Sequence, residues 1–125
     1  MADSKRHLDW FNKANADLES AEILFKNDGN NAVIAFLCQQ AIEKAYKGFI
    51  LKEKEELFEG HSLIYLCKKI AEFDISFKQF MKDSAYVNQF YLETRYPADI
   101  PLDISESEAQ ECIEIAKKIM DKVIG

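Results

Sequence analysis

The chain has 125 residues, 22 acidic against 16 basic side chains for a formal net charge of −6, 48% hydrophobic residues, and only four Gly and two Pro. Such an acidic balance excludes a broad electrostatic grip on nucleic-acid backbones, although a local cationic patch can still hold one nucleotide. No apolar run approaches bilayer length and the start, MADSKRHLDW, has no signal-peptide character, so a cytoplasmic protein without membrane contact is expected.

The scarcity of turn residues favours helices over strands. A first helix is predicted from Ser4 to Lys26, where Trp10, Ala14, Leu18, Ala21 and Phe25 recur at three- and four-residue intervals. Asn27, Asp28, Gly29, Asn30 and Asn31 supply a left-handed stop and an N-cap, which makes the first two helices an antiparallel hairpin. The second helix, Ala32 to Lys52, is apolar almost all round but carries a polar island of Gln39, Gln40, Glu43, Lys44 and Lys47, bounded by Phe36, Ile50 and Leu51. That pattern predicts a central helix buried on its whole girth, with the island facing an interface or a pocket. The simpler alternative is that the Lys and Glu groups reach out to solvent.

After the charged run from Glu53 to Gly60, Ser62 is an N-cap for a short third helix with Leu63, Leu66, Ile70 and Phe73 inward. A fourth helix is predicted from Ser76 to Thr94, with Phe77, Phe80, Met81, Val87 and Tyr91 on one side and Tyr86 and Phe90 on another; aromatics on two faces imply two partners. Pro97 and Pro101 stiffen the following loop. Ser105 and Glu108 form a capping box, with Ile104 placed to staple onto Ala109, ahead of a last helix carrying Cys112, Ile113, Ala116, Ile119 and Val123 inward. The expected fold is all-α, a single domain over residues 1–125 forming an up-and-down bundle of about five helices.

Cys38, Cys67 and Cys112 have no paired spacing and read as small core residues, not as a disulfide or a metal site. Arg95 lies between Tyr91, Tyr96 and Asp99. Its guanidinium can hold a phosphate bidentately while a tyrosine stacks on a base, or it can cap the fourth helix and pair with Asp99. His61, beside Ser62 at a helix start, reads as a local hydrogen-bonding group more readily than as a catalytic one. Glu43 and Lys47 are a favourable i, i+4 pair, which by itself is ordinary helix support. No phosphate-cradling glycine loop, HExxH or calcium loop occurs, so no catalytic residue, metal or cofactor is assigned.

CQQAIEKAYKGFI in the second helix, GHSL before the third, and TRYPADIP before the last together resemble the HEPN family, the higher eukaryote and prokaryote nucleotide-binding domains, over nearly the whole chain. The resemblance implies a helical bundle that dimerises through its central helices, often beside a small nucleotidyltransferase partner, with roles in toxin–antitoxin modules, RNA cleavage or nucleotide binding. The ribonuclease members carry an Arg and a His separated by four to six intervening residues. Here Arg95 is followed in that window by Ile100, Pro101 and Leu102, and no histidine lies beyond residue 61. The expectation is therefore a homodimeric module without that ribonuclease motif, binding a nucleotide, a nucleotidyltransferase-type partner, or both. Arg95, Tyr96, Asp99, Lys44, Lys47 and His61 are expected at the nucleotide, and Gln39, Gln40, Glu43, Tyr86, Phe90 and Tyr91 at the dimer interface. The alternatives are a ribonuclease toxin using a displaced histidine and a purely structural dimeric adaptor.

Overall fold

The asparagine-rich turn sets the first tertiary contact. α1, His7–Lys26, ends where Asp28 adopts a left-handed backbone (φ 55°) and the Gly29 N–H donates to the Leu24 carbonyl at 2.7 Å. Asn30 then caps α2, Asn31–Lys54, by accepting from the Ala32 and Val33 amides through its side chain. The chain reverses in four residues, so α1 and α2 pack along their lengths as the predicted hairpin. The structure, a computed structural model, describes residues 5–91 and 103–125.

α2 is the axis of the molecule. It touches α1, α3 (Leu63–Phe73), α4 (Met81–Asn88) and α5 (Glu106–Val123), and no residue from Ile34 to Leu51 is exposed. The expectation of a helix buried on its whole girth therefore holds. The stripe that α1 offers it is Phe11, Ala14, Leu18 and Ala21, not the one begun by Trp10. Phe11 takes the core position, whereas Trp10 is half-buried beside it. The reason is a close approach at Gly48, where an added Cβ would lie 2.8 Å from the Phe11 ring and 2.9 Å from the Trp10 Cβ. Two residues of α1 straddle a position that has no side chain.

The Ser62 side chain caps α3 through the Tyr65 amide at 3.1 Å, and Leu63, Leu66 and Ile70 are buried as the sequence pattern requires. Over its described part, residues 76–91, the single fourth helix predicted from Ser76 to Thr94 is not continuous, and residues 92–94 lie outside the described residues. Asp74 accepts from the Ser76 amide and starts a 3₁₀ helix over Ile75–Phe80, which passes into α4 and stops at Asn88. In a 3₁₀ turn residues three apart eclipse one another. Phe77 and Phe80 thus reach the core together. Further on, Ser105 and Glu108 make both bonds of the predicted capping box, at 3.0 and 2.9 Å, and Ile104 and Ala109 are buried in the same core. Among the described residues there are five α-helices and no strand.

The close approach at Gly48 can be tested directly. Gly48→Ala gains about 1 kcal/mol of helix propensity but pushes a methyl into Phe11 and the Trp10 Cβ, an overpacking cost of about 1–3 kcal/mol. A net loss of stability is expected, read as a lower urea midpoint, and a midpoint at or above wild type overturns the close-approach reading. Alkali probes the same core through its titratable groups. Burial pushes the Cys38 and Cys67 thiols up, Cys112 up to about 12 and the Tyr46 hydroxyl well above its ordinary value. Because these groups hold their protons more tightly folded than unfolded, their contribution is complete below pH 9.0, the unfolded thiol value, and is lost as pH rises toward the folded values. Urea midpoints should be flat up to that pH and fall beyond it, and iodoacetamide should react with the thiols only as the chain unfolds.

Candidate functional site

The polar island of α2 does not act as one unit. Gln39, Glu43 and Lys47, each four residues from the next, form a buried ladder on one line of the helix, with exposures of 0, 4 and 6%. Lys47 Nζ donates to Glu43 Oε2 at 3.1 Å, and Gln39 Nε2 lies 3.4 Å from Glu43 Oε1. Gln40, partly buried, donates to Gln39 Oε1 at 2.8 Å. Lys44 leaves this group altogether and pairs with Asp17 of α1 at 2.5 Å.

The connection between α2 and α3 brings His61 onto the ladder. Its Nδ1 lies 3.0 and 3.2 Å from the two Glu43 oxygens, and its carbonyl accepts from Gln39 Nε2 at 3.0 Å. Both the ring and the backbone of one residue are thus tied to α2. The side chain is otherwise half-exposed. Tyr91 stacks on the imidazole, with centroids 4.7 Å apart and planes at 22°, and Phe36 lies behind Tyr91 at 6.2 Å. On the far side of the ladder Lys47 sits 5.8 Å from the Trp10 ring centroid, so its ammonium is shared between a carboxylate and an aromatic face.

His61 and Tyr91, with Ser62, Asn88 and Gln89, line an open cleft of about 340 Å³. Asn88 is the last residue of α4, and its Oδ1 accepts from the Leu63 amide at 2.7 Å, joining the end of α4 to the start of α3. Gln89 is held to the Tyr86 carbonyl through its Nε2 at 2.8 Å. A half-exposed imidazole, a stacked phenol ring and two side-chain amides in one cleft can pair with a phosphate or hydroxyl and present ring faces to a planar group.

The expected site residues do not all gather in this cleft. Of the residues expected at a nucleotide, His61 alone is shown in the cleft; Lys47 is turned to Glu43 and Trp10, and Lys44 is engaged by Asp17, because each opposite charge lies within reach on the helix or on its hairpin partner. Arg95, Tyr96 and Asp99 lie outside the described residues. Of those expected at an interface, Gln39, Glu43 and Phe90 are covered by the chain itself, whereas Gln40, Tyr86 and Tyr91 keep exposed area. Ser62, Asn88 and Gln89 join the cleft without having been expected there. The sequence signal for the last two is a polar pair interrupting the apolar rhythm between Val87 and Phe90.

Removing Glu43 leaves a buried lysine without its carboxylate. Glu43→Ala should cost about 3–5 kcal/mol, against about 0–1 kcal/mol for Lys44→Ala in its partly exposed pair. Urea unfolding of the two variants checks the contrast, and equal losses would count against a specially buried ladder.

Known proteins share this architecture. The HEPN domain family model matches residues 7–124. The crystal structure of TT1696 from Thermus thermophilus is 28% identical, superimposes with a TM-score of 0.85, and covers 96% of this chain and 97% of that one. The structure of ST0689, an archaeal HEPN homologue, is 27% identical with a TM-score of 0.73, covering 96% of each chain. No curated protein matches. With a family match that runs through every described helix, the chain belongs to the HEPN domain family.

Proposed function

We propose that this chain is a HEPN-type binding module that takes a nucleotide in the cleft at the start of α3, works as a homodimer, and acts beside a nucleotidyltransferase-type partner in a toxin–antitoxin-like system. The observation that carries the nucleotide reading is His61, held by a buried carboxylate and stacked on Tyr91 in a cleft that also contains Asn88 and Gln89. An imidazole so held offers a hydrogen bond to phosphate or ribose, and its neighbouring ring supplies a stacking surface. Arg95 adds phosphate-binding charge in this reading. The dimer and the protein partner rest on family membership, and Gln40, Tyr86 and Tyr91 are the interface candidates with area to offer.

One observation favours a second reading. A carboxylate oriented toward the Nδ1 of a half-exposed imidazole is an arrangement that general acid–base catalysis uses. His61 would then be the displaced histidine of a ribonuclease, with Arg95 stabilising the charge that develops on the phosphodiester.

A native mass spectrum of freshly purified protein separates these ideas at the level of assembly. A dimer carrying a nucleotide-sized adduct supports the module, a bare dimer points to protein partners alone, and a bare monomer overturns the homodimer. Titration with AMP then tests the site: His61→Ala should weaken binding about tenfold or more, the size of one hydrogen bond to a charged group. If AMP binds wild type and His61→Ala alike, the cleft is not the site. RNA cleavage by wild type that His61→Ala abolishes would move the assignment to the ribonuclease.

A further inference from the structure

We infer that Gln39 and Glu43 form a positioning device that fixes His61 in its Nδ1–H tautomer and presents Nε2, as a lone-pair acceptor, to the cleft. Such a device deepens the nucleotide-binding reading and rests on the cleft being the functional site.

The chemistry follows from the partners. With the Lys47 ammonium 3.1 Å from its Oε2, Glu43 is an ionised carboxylate and can only accept. The proton between Glu43 and His61 therefore sits on Nδ1, whichever charge the ring carries. In the neutral ring this leaves Nε2 without a hydrogen. That is the reverse of the Nε2–H form that predominates in unconstrained histidine. Gln39 contributes separately: its Nε2 donates to the His61 carbonyl at 3.0 Å, and its own Oε1 is occupied by Gln40 at 2.8 Å, so the amide cannot turn over without losing both bonds. The backbone and the ring of His61 are thus held by adjacent turns of one helix, and Tyr91 blocks one ring face.

The orientation decides what the cleft recognises first. A neutral His61 offers an acceptor, which suits a hydroxyl or amino donor of a ligand, and a protonated ring offers the Nε2–H to an anionic oxygen. Gln39 and Glu43 touch no ligand in this scheme and act only through His61.

Only two histidines, His7 and His61, occur in the chain, so long-range 1H–15N correlation spectra of the imidazoles can be read directly, with His7→Gln giving the assignment. In wild type at a pH where both rings are neutral, His61 should show a protonated Nδ1 and an unprotonated Nε2, while His7 serves as the internal contrast. In Glu43→Gln, whose amide can also donate, the selection should be lost and the Nε2–H form should appear. Predominance of Nε2–H in wild type overturns the proposal, as does a tautomer that Glu43→Gln leaves unchanged. If Glu43→Gln does not fold, Gln39→Leu is used in its place, with the expectation of broadened His61 resonances from loss of the carbonyl tether; sharp, wild-type-like resonances there count against the device. AMP affinity measured on the same samples should fall about tenfold in the folded variant. Failure of wild type to bind AMP would sink the nucleotide reading but leave the tautomer result standing, so the two failures are distinguishable.

Discussion

A carboxylate buried in the wall of a central helix is the constraint around which the rest of this molecule is arranged. Glu43 is 4% exposed on a helix with no exposed residue between Ile34 and Leu51. Left alone there, its charge would be prohibitive. It is compensated from three directions: Lys47 one turn along α2, Gln39 one turn back, and His61 from the next connection. Among the described residues, every buried side-chain nitrogen and oxygen finds a hydrogen bond. The ladder is therefore closed, and a closed polar network in a low-dielectric interior holds its members in one arrangement.

That closure explains features that otherwise look unrelated. Lys47 stays buried because Trp10 lies over its ammonium, and Trp10 is there because Gly48 lets α1 approach α2 to within contact of the Trp10 Cβ. The absent side chain at position 48 thus contributes to the charge balance at position 43. On the other side, the connection from Glu55 to Ser62 has its end fixed by the His61 carbonyl and ring, which places the first turn of α3 beside the end of α4. The cleft forms where those two ends meet.

Much of the fold is legible in local chemistry. The Asn-Asp-Gly-Asn turn, the Ser62 cap and the Ser105–Glu108 capping box are short-range signals, and each forms as read. The all-round burial of α2 is visible because its apolar residues exceed what one stripe requires. Features that escape local reading depend on distant partners. Phe77 and Phe80 are three apart, a spacing equally suited to an α-helix and a 3₁₀ turn, and the shared core beneath them decides the matter. Trp10 and Phe11 are both plausible first members of the α1 stripe, and only the contact at Gly48 selects between them. The polar island stands out in the sequence, yet its division into a buried ladder and a separate Lys44–Asp17 pair depends on two contacts, 18 and 27 residues apart along the chain. Arg95, the residue whose sequence context suggests function most strongly, lies outside the described residues, and His61 marks the site instead.

Stability alone does not account for the ladder. Buried ion pairs are often matched or exceeded by well-packed apolar residues of similar volume, so a trio of apolar side chains at positions 39, 43 and 47 is the fair comparison for stability. Such a trio could not bind a backbone carbonyl, choose a tautomer or keep an imidazole edge at a cleft. The buried polar groups do those three things for one residue, and each does it at a distance short enough to be directional. Conformational specificity is the remaining advantage of a closed buried network, and here the conformation specified is that of His61. Energetics and geometry thus converge on the same ring: what the interior arranges at some cost is a half-exposed side chain that lines the cleft.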